Sequence, residues 1–206
     1  MGPCPYSDGR CNVNVNDTVS VKPIRYFNGQ VMLSRTDVAS SGFGMPFSHT
    51  RTYCNQLPSS FTLGNGWNWQ PSAWPYLATT NVSGAALAMY EDMAAPRYFS
   101  QNPTTNAYAA LFGDTSTFVH NTASQQFVLT NPDGSIVTFN DFTTTNRPGQ
   151  FVSRLYPNGV LEKVTQQTAT QIVEIQRTQL ATGGTTESFL YAYMSPTELW
   201  SHFLPS

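Results

Sequence analysis

The chain has 206 residues, enough for one domain or two small ones, and its charged fraction is 11%, against roughly 25% in an average soluble domain. Uncharged Thr, Ser, Asn and Gln supply 71 residues and aromatic residues a further 13%; because Thr and aromatic side chains favour sheets while Gly, Pro and Asn favour turns, this composition indicates an all-β protein. A net charge of -2 excludes a basic surface for nucleic acid, and no apolar run approaches the roughly 18 residues of a membrane-spanning helix.

Residues 1–24 are predicted to form an irregular N-terminal arm, with at most one short strand where Asn and Val alternate. Cys4 and Cys11 either close a small disulfide loop or remain thiols, and with Cys54 the cysteine count is odd, so at least one thiol is left over. The arm lacks the basic and apolar regions of a signal peptide. The polar, lysine-poor composition still favours an extracellular or cell-envelope location, for this chain or for a longer one that contains it.

Residues 25–110 are predicted to form an opening β segment. Side chains alternate from Val31 to Thr36 as in a strand, and a turn rich in Gly and Pro at residues 42–46 leads to a returning strand from Phe47 to Tyr53. Residues 84–95 contain good helix formers, but they lack a convincing N-cap and their flanks are typical of strands. A strand is therefore predicted there as well.

Residues 111–194 are predicted to form β-hairpin repeats. Gly134, Gly159 and Gly184 are 25 residues apart, and each follows or lies within a turn sequence between two β-like runs. An apolar residue comes five positions after each glycine: Phe139, Val164 and Phe189. A fixed period of this size predicts hairpins that stack on their neighbours, because a single hairpin cannot bury its apolar face alone. The alternative is an ordinary antiparallel sandwich whose turns are evenly spaced.

The opening segment also carries an ordered set of motifs. The set comprises Asn28-Gly29, Leu33, Thr36-Asp37, the turn containing Gly42, Gly44 and Pro46, Thr50-Arg51-Thr52-Tyr53, and Gly64-Asn65-Gly66-Trp67. With these motifs the chain resembles the Rhs/YD-repeat proteins, specifically the segment that opens their repeat region, and the later hairpins resemble divergent first repeats. The Tyr-Asp dipeptide that names the repeats is absent, with Asn-Pro-Asp-Gly and Tyr-Pro-Asn-Gly at two of the turns.

The resemblance implies a ribbon of β-hairpins that, in full-length relatives, spirals into a hollow shell enclosing a C-terminal cargo, often a toxin, or displaying an adhesive surface. It implies export or attachment to the envelope, and it implies that the partners of this segment are further repeats of a longer chain and an enclosed cargo domain. The 206 residues have no room for a closed shell, a cargo domain or a self-cleaving segment. On this basis the segment is expected to be structural and not an enzyme, and to need no cofactor.

Three groups of polar residues are candidates for chemistry. Asp37, Arg35 and Arg51 lie on neighbouring strands, and a cross-strand ion pair that fixes the register is favoured over acid/base chemistry, for which Glu91-Asp92 offers only a distant second acid. His49 is a candidate base with Asp37 as its orienting group, but no nucleophile elbow supports a hydrolase, so packing in the core is favoured. Cys54 is expected to be buried and inert.

Aromatic residues provide the one ligand-binding alternative. Trp67 and Trp69 alternate as if on one face of a strand, and with Tyr76 they would form a platform for sugar rings if exposed. Tryptophan is mostly buried in proteins, so a core role for Trp67, Trp69 and Trp74 is favoured over a carbohydrate-binding module.

Metal binding is not expected. Asp133 and Asp141 lie near Gly134, but the alternating oxygen ligands of a calcium loop are missing, and the three histidines are isolated, which argues against zinc. The last segment, residues 195–206, is unassigned. It begins with Ser195-Pro196-Thr197-Glu198, a pattern typical of a helix start, and a short terminal helix and a truncated or frame-shifted end are equally compatible with it.

Overall fold

A computed structural model describes residues 24–25, 29–41, 46–55, 66–93, 95–144, 147–169, 171–182, 184–195 and 198–200. Within these residues the regular elements are strands in antiparallel sheets, with one 3-10 turn at Leu180–Thr182, so the all-β prediction is confirmed. None of these residues belongs to a helix long and apolar enough to cross a bilayer. The predictions for most of the N-terminal arm, for Cys4 and Cys11, for the turn around Gly42 and Gly44, and for Gly64-Asn65 fall outside the described ranges.

Two small sheets come first along the chain. The opening sheet contains β1 (Met32–Ser40), β2 (Phe47–Cys54) and β3 (Trp69–Pro71), in that order. The middle sheet contains β4 (Tyr76–Thr79), β5 (Leu87–Tyr90), β6 (Arg97–Gln101) and β7 (Tyr108–Ala110), also in sequence order. Residues 84–95 therefore contain the predicted strand, β5.

A seven-stranded sheet follows, again ordered as in the sequence. Its strands are β8 (Thr117–Asn121), β9 (Gln126–Thr130), β10 (Ile136–Asn140), β11 (Phe151–Leu155), β12 (Val160–Gln167), β13 (Ile172–Gln179) and β14 (Thr185–Leu190). Gly134, Gly159 and Gly184 all have positive φ and lie between β9 and β10, β11 and β12, and β13 and β14, respectively. A final hairpin consists of β15 (Ala192–Ser195) and β16 (Glu198–Trp200).

One apolar core joins the three larger sheets. Inward-facing residues alternate along the strands, as at Phe127 and Leu129 on β9 and at Val137 and Phe139 on β10, all at most 2% exposed. The two small sheets cover this inner face, because the same core cluster includes residues from each of them. Of the three residues that follow the turn glycines by five positions, Phe139 and Phe189 are buried and Val164 packs against the cluster.

Three contacts fix the small sheets on the large one. Phe47 of β2 stacks on Phe189 of β14 with ring centroids 3.8 Å apart, and Phe99 of β6 stacks on Phe118 of β8 at 4.6 Å. The amide of Leu77 donates to the carbonyl of Gly149, in the connection between β10 and β11, at 2.8 Å. The opening sheet therefore lies over the last strands of the seven-stranded sheet, and the middle sheet over its first strands.

Candidate functional site

The inner face of the last four strands carries a row of alternating charges. Arg154 on β11 pairs in register with Glu162 on β12, Glu162 with Arg177 on β13, and Arg177 with Glu187 on β14. Residues paired across antiparallel strands point to the same face, so these four side chains form one line across the sheet. We call Arg154, Glu162, Arg177 and Glu187 the charged row.

Direct contacts connect the members of the charged row. Arg177 lies 3.2 Å from Glu162 and 3.0 Å from Glu187, and its guanidinium carbon is 5.6 Å from the centre of the Phe47 ring. Arg154 donates to the Tyr156 hydroxyl oxygen at 3.4 Å, and that hydroxyl donates to Glu162 at 3.0 Å. Tyr156 therefore bridges the first two members of the row.

The charged row also reaches both small sheets. Glu91, directly after β5, accepts a hydrogen bond from Arg154 at 2.6 Å, and the Ser40 hydroxyl at the end of β1 donates to Glu187 at 3.3 Å. Burial is greatest in the middle, since the Arg177 and Glu162 side chains are 0% and 4% exposed while those of Glu187 and Glu91 are 26% and 37% exposed. The row is thus a polar core at the point where the three sheets meet.

Burial and neighbouring charge both change the proton affinities in this polar core. Burial raises the pKa of Glu162, and the nearby Arg154, Tyr156 and Arg177 oppose that shift without cancelling it. Burial alone would lower the pKa of Arg154, but Glu91, Tyr156 and Glu162 raise it above its usual value. Arg154 therefore keeps its charge throughout the ordinary pH range.

Two clefts adjoin the contact between the sheets. A polar cleft of about 120 Å³ is lined by residues that include Glu91, Arg154 and Glu162. A more apolar cleft of about 160 Å³ lies between Trp74, Tyr76, Tyr193 and the Arg147–Gln150 loop. Both are smaller than the roughly 300–1,000 Å³ of typical small-molecule sites. Their size favours a few ordered waters or a single small group over a substrate of ordinary size.

Arg147 closes one side of the apolar cleft. It has a φ of 64° and donates to the Gln150 side-chain oxygen at 2.7 Å and to the backbone carbonyls of Thr168 and Gln171. Burial lowers the pKa of Arg147. Because its guanidinium is used in tying the β10–β11 and β12–β13 connections together, it serves mainly as a structural cross-link.

The three residues of the predicted sugar platform do not share one surface. Trp67 is 64% exposed and lies in the turn before β3, whereas Trp69 begins that strand. The expected alternation is wrong because Asn68 has a φ of 59°, which interrupts the extended backbone between the two rings. Trp69 packs against Tyr53 at 5.3 Å, and Tyr76 lines the apolar cleft, which neither Trp67 nor Trp69 lines. Trp74 is in the core, as favoured, and Trp69 is half-buried, but the core role favoured for Trp67 is wrong because that side chain is exposed.

The predicted ion pair between Asp37 and Arg51 is present. Arg51 donates two hydrogen bonds to the Asp37 carboxylate, at 2.5 and 2.8 Å. Asp37 is the extra residue of a β-bulge, because Thr36 pairs with Thr50 and Val38 with His49. The ion pair therefore stabilises the bulged register. Arg35 lies directly opposite Arg51 in the strand pairing and does not pair with Asp37 in it. Glu91 contacts Arg154 and forms no acid pair with Asp37.

His49 is a core residue, as favoured. Its side chain is fully buried between Trp74 and Tyr191, with ring centroids 5.1 and 5.4 Å away, and its Nε2 atom is 3.7 Å from Asp37, beyond hydrogen-bond distance. Neither ring nitrogen has a hydrogen-bond partner within the described part of the chain. Burial lowers the pKa of His49 from 6.5 to about 4, an effect that Asp37 opposes and Arg51 reinforces. His49 is therefore neutral near pH 7.

Turn formation accounts for the two aspartates near Gly134. The Asp133 carboxylate accepts the Ser135 amide at 2.8 Å, and the Asp141 carboxylate accepts the Thr143 amide at 2.9 Å and lies 3.0 Å from His120 Nε2. No group of three or more His, Cys, Asp or Glu side chains that could hold a metal occurs among the residues that were described. Cys54 is buried and unpaired, with Gln30 Nε2 2.7 Å from its sulfur.

Sequence reasoning missed the charged row, although it had predicted the turns that create it. The turn centred near Asn158 places Arg154 opposite Glu162, and the turn centred near residue 182 places Arg177 opposite Glu187. Counting outward from each turn would have paired an arginine with a glutamate twice. The remaining pair, Glu162 with Arg177, depends on the β12–β13 register, which is irregular and has no such local signal.

Part of the chain matches a known protein family. A family described as "Domain of unknown function (DUF6531)" matches residues 21–75, which cover the opening sheet and the turn that leads to the middle sheet. No curated protein matches the chain.

Proposed function

We propose that this chain is a structural, non-enzymatic segment that opens an Rhs/YD-repeat surface or secreted protein and seeds a β-hairpin shell that encloses or displays a cargo. The observation that carries the proposal is the order of the seven-stranded sheet. Strands β8 to β14 follow one another without a crossover, and no described strand pairs with the outer edge of β14. A sheet of this kind can be extended by adding hairpins at one end without rearranging what is already formed.

The opening sheet supports the same proposal. Residues 21–75 match a domain of unknown function that occurs in Rhs/YD-repeat-type proteins. In this chain, that region packs on β13 and β14 through Phe47 and on Glu187 through Ser40. By covering the inner face of β13 and β14, this region would shield their apolar side chains where further hairpins are to be added.

Further strands of the same longer protein would be the main partner, and an enclosed cargo domain the second. We place such a protein outside the cell or in the envelope because of its uncharged, lysine-poor composition. The small volume of the two clefts supports a role in assembly over a role in catalysis.

Self-association of the purified chain tests the proposal. An unpaired strand edge favours pairing with other edges, so sedimentation velocity from about 1 to 200 µM should show reversible, concentration-dependent association. A matched variant, Ser188→Pro, removes an amide from β14 and should reduce that association. The equivalent change in the exposed β6–β7 loop, Thr104→Pro, should leave it unchanged. A chain that stays monomeric over the whole range contradicts the proposal.

Carbohydrate binding is the second candidate, favoured by one observation. Tyr76 lies beside Trp74 and Tyr193 in the apolar cleft, and aromatic rings of this kind stack on sugars. Tryptophan fluorescence measured against a panel of polysaccharides tests this function, with Tyr76→Ala as the site variant and Trp67→Ala as the control outside the cleft. Absence of quenching by every polysaccharide removes this candidate.

A further inference from the structure

The charged row ends with a carboxylate on β14, the last strand of the seven-stranded sheet in the described part of the chain. Within the row, Arg177 has an acidic neighbour on both sides, Glu162 on β12 and Glu187 on β14. Arg154 also lies between two carboxylates, since it contacts Glu91 directly and Glu162 through the Tyr156 hydroxyl. Glu187 differs from these interior members. One of its carboxylate oxygens accepts from Arg177 and the other accepts from the uncharged Ser40 hydroxyl at 3.3 Å, and the described part of the chain places no strand on the outer edge of β14.

The charged row and Glu91 together carry more negative than positive charge. Glu91, Glu162 and Glu187 supply three carboxylates, against the two guanidiniums of Arg154 and Arg177. An incoming strand would lie about 4.8 Å from β14, and its side chain opposite Glu187 would point to the same inner face. A basic side chain there would balance the charges and continue the alternation. An acidic one would place two carboxylates side by side in a partly buried position.

We propose that the outer edge of β14 selects an antiparallel strand that carries Arg or Lys on its inner face opposite Glu187. This inference rests on the proposed function, since it specifies the chemistry of the strand that the edge accepts. The apolar residue two positions from Glu187 adds a second requirement for the incoming strand. Phe189 faces the same side of the sheet and packs on Phe47, so the partner strand needs an apolar residue two positions from its basic one.

The chain itself contains a strand with this pattern. On β13, Ile175 pairs with Phe189 and Arg177 pairs with Glu187. A peptide that copies Ile172–Gln179 therefore presents the required pair of side chains to the opposite edge of β14. It is a suitable probe because its register against β14 is already known on one side.

Fluorescence anisotropy with labelled peptides tests the inference. One peptide copies residues 172–179, and a second carries Arg177→Glu; both are titrated with the full 206-residue protein at low micromolar concentration. The arginine peptide should bind about tenfold more tightly than the glutamate peptide at low salt, and the difference should shrink at 1 M salt. In the protein variant Glu187→Lys the preference should reverse.

Two further variants separate charge recognition from misfolding. Glu187→Gln is milder and should abolish the preference while retaining binding of both peptides. Thr186→Lys adds a charge to the exposed outer face of the same strand and should keep the wild-type order of affinities. Equal binding of the two peptides to the wild-type protein overturns the charge inference and leaves the proposed function standing. If neither peptide binds, the outer edge of β14 does not accept a further strand, and both proposals are contradicted.

Discussion

At the scale of single residues, the interior of this protein holds polar groups whose protonation is tied to folding. His49 is the clearest case, because its ring is neutral and fully buried and neither ring nitrogen has a hydrogen-bond partner among the described residues. An unfolded chain takes up a proton on this ring near pH 6.5, whereas the folded chain resists it until about pH 4. The contribution of His49 to stability is therefore present above pH 6.5 and is lost as the pH falls toward 4.

We expect this loss to reach roughly 3 kcal/mol across that window. Urea denaturation of the wild type and of His49→Phe, measured at pH 7.0 and 4.5, gives the difference. His49→Phe should lack the acid-induced loss, and so should His49→Asn, even if the latter is less stable at both pH values. Burial raises the pKa of Glu162, so Glu162 contributes with the opposite sign, but it is common to all three proteins and cancels. An unchanged pH dependence in both variants contradicts the assignment.

Arg177 provides a second prediction at this scale. Its guanidinium is fully buried between Glu162 and Glu187, so Arg177→Met would leave two carboxylates near each other without their shared cation. We expect this variant to lose about 3–5 kcal/mol of unfolding free energy in chemical denaturation. Arg35→Met, at an exposed position on β1, is the control and should change stability by no more than about 0.5 kcal/mol. Similar losses in the two variants would show that the charged row is not a structural core.

Some of these residue-level features could be predicted from the sequence. The Asp37–Arg51 pair and the burial of His49 and Trp74 follow from strand pairing and from ordinary burial preferences. The clustering of Glu91 with Arg154 does not, because the two residues are 63 positions apart and meet only when the middle sheet packs on the large one. A contact of that kind has no local signal in either segment.

At the scale of elements, the junction between the middle sheet and the seven-stranded sheet depends on one glycine. Gly149 has a φ of +75°, and a Cβ atom there would lie 1.9 Å from the backbone oxygen of Leu77. The same glycine accepts the Leu77 amide, and its neighbour Gln150 forms a bridge with Tyr76. The junction therefore requires both the positive φ and the missing side chain.

Gly149→Ala should consequently destabilise the protein by more than the cost of placing alanine at a positive φ, because the added Cβ also clashes with Leu77. Gly113→Ala is the matched control, since Gly113 has a φ of +82° with nothing within 4 Å of the added carbon. We expect the control to lose about 1–2 kcal/mol and Gly149→Ala to lose about 1–3 kcal/mol beyond that, measured by thermal or chemical denaturation. Equal losses would mean that the junction adapts without cost.

Elements with local signals were predictable, and those that depend on a neighbour were not. The turns at Gly134, Gly159 and Gly184 follow from residues that accept positive φ, and β5 follows from its flanks. Strand β3 has only three residues and contains Pro71, so its sequence does not predict a strand. It is a strand because it pairs with the edge of β2. The possible helix at Ser195–Glu198 is wrong, since Glu198–Trp200 returns along Ala192–Ser195 as a strand.

At the scale of the whole molecule, a core cluster shared by the three larger sheets predicts a single unfolding transition. The buried cluster contains Phe47 and Trp74 from the first part of the chain, Phe99 from the middle sheet, and Phe151 and Phe189 from the large sheet. Three of the four tryptophans, at positions 67, 69 and 74, report on the opening part, while far-UV circular dichroism reports on all the strands. The two signals should give coincident transitions in urea. Separate midpoints would show that the opening sheet folds as an independent unit.

The contact between Ser40 and Glu187 has a consequence for biosynthesis. The two residues are 147 positions apart, so the hairpin of β1 and β2 leaves the ribosome long before the strand it rests on. At about 5–20 residues per second, roughly 7–30 s separate the two events. During that interval Phe47 lacks its stacking partner, so we expect the nascent hairpin to expose this apolar ring until translation delivers β14.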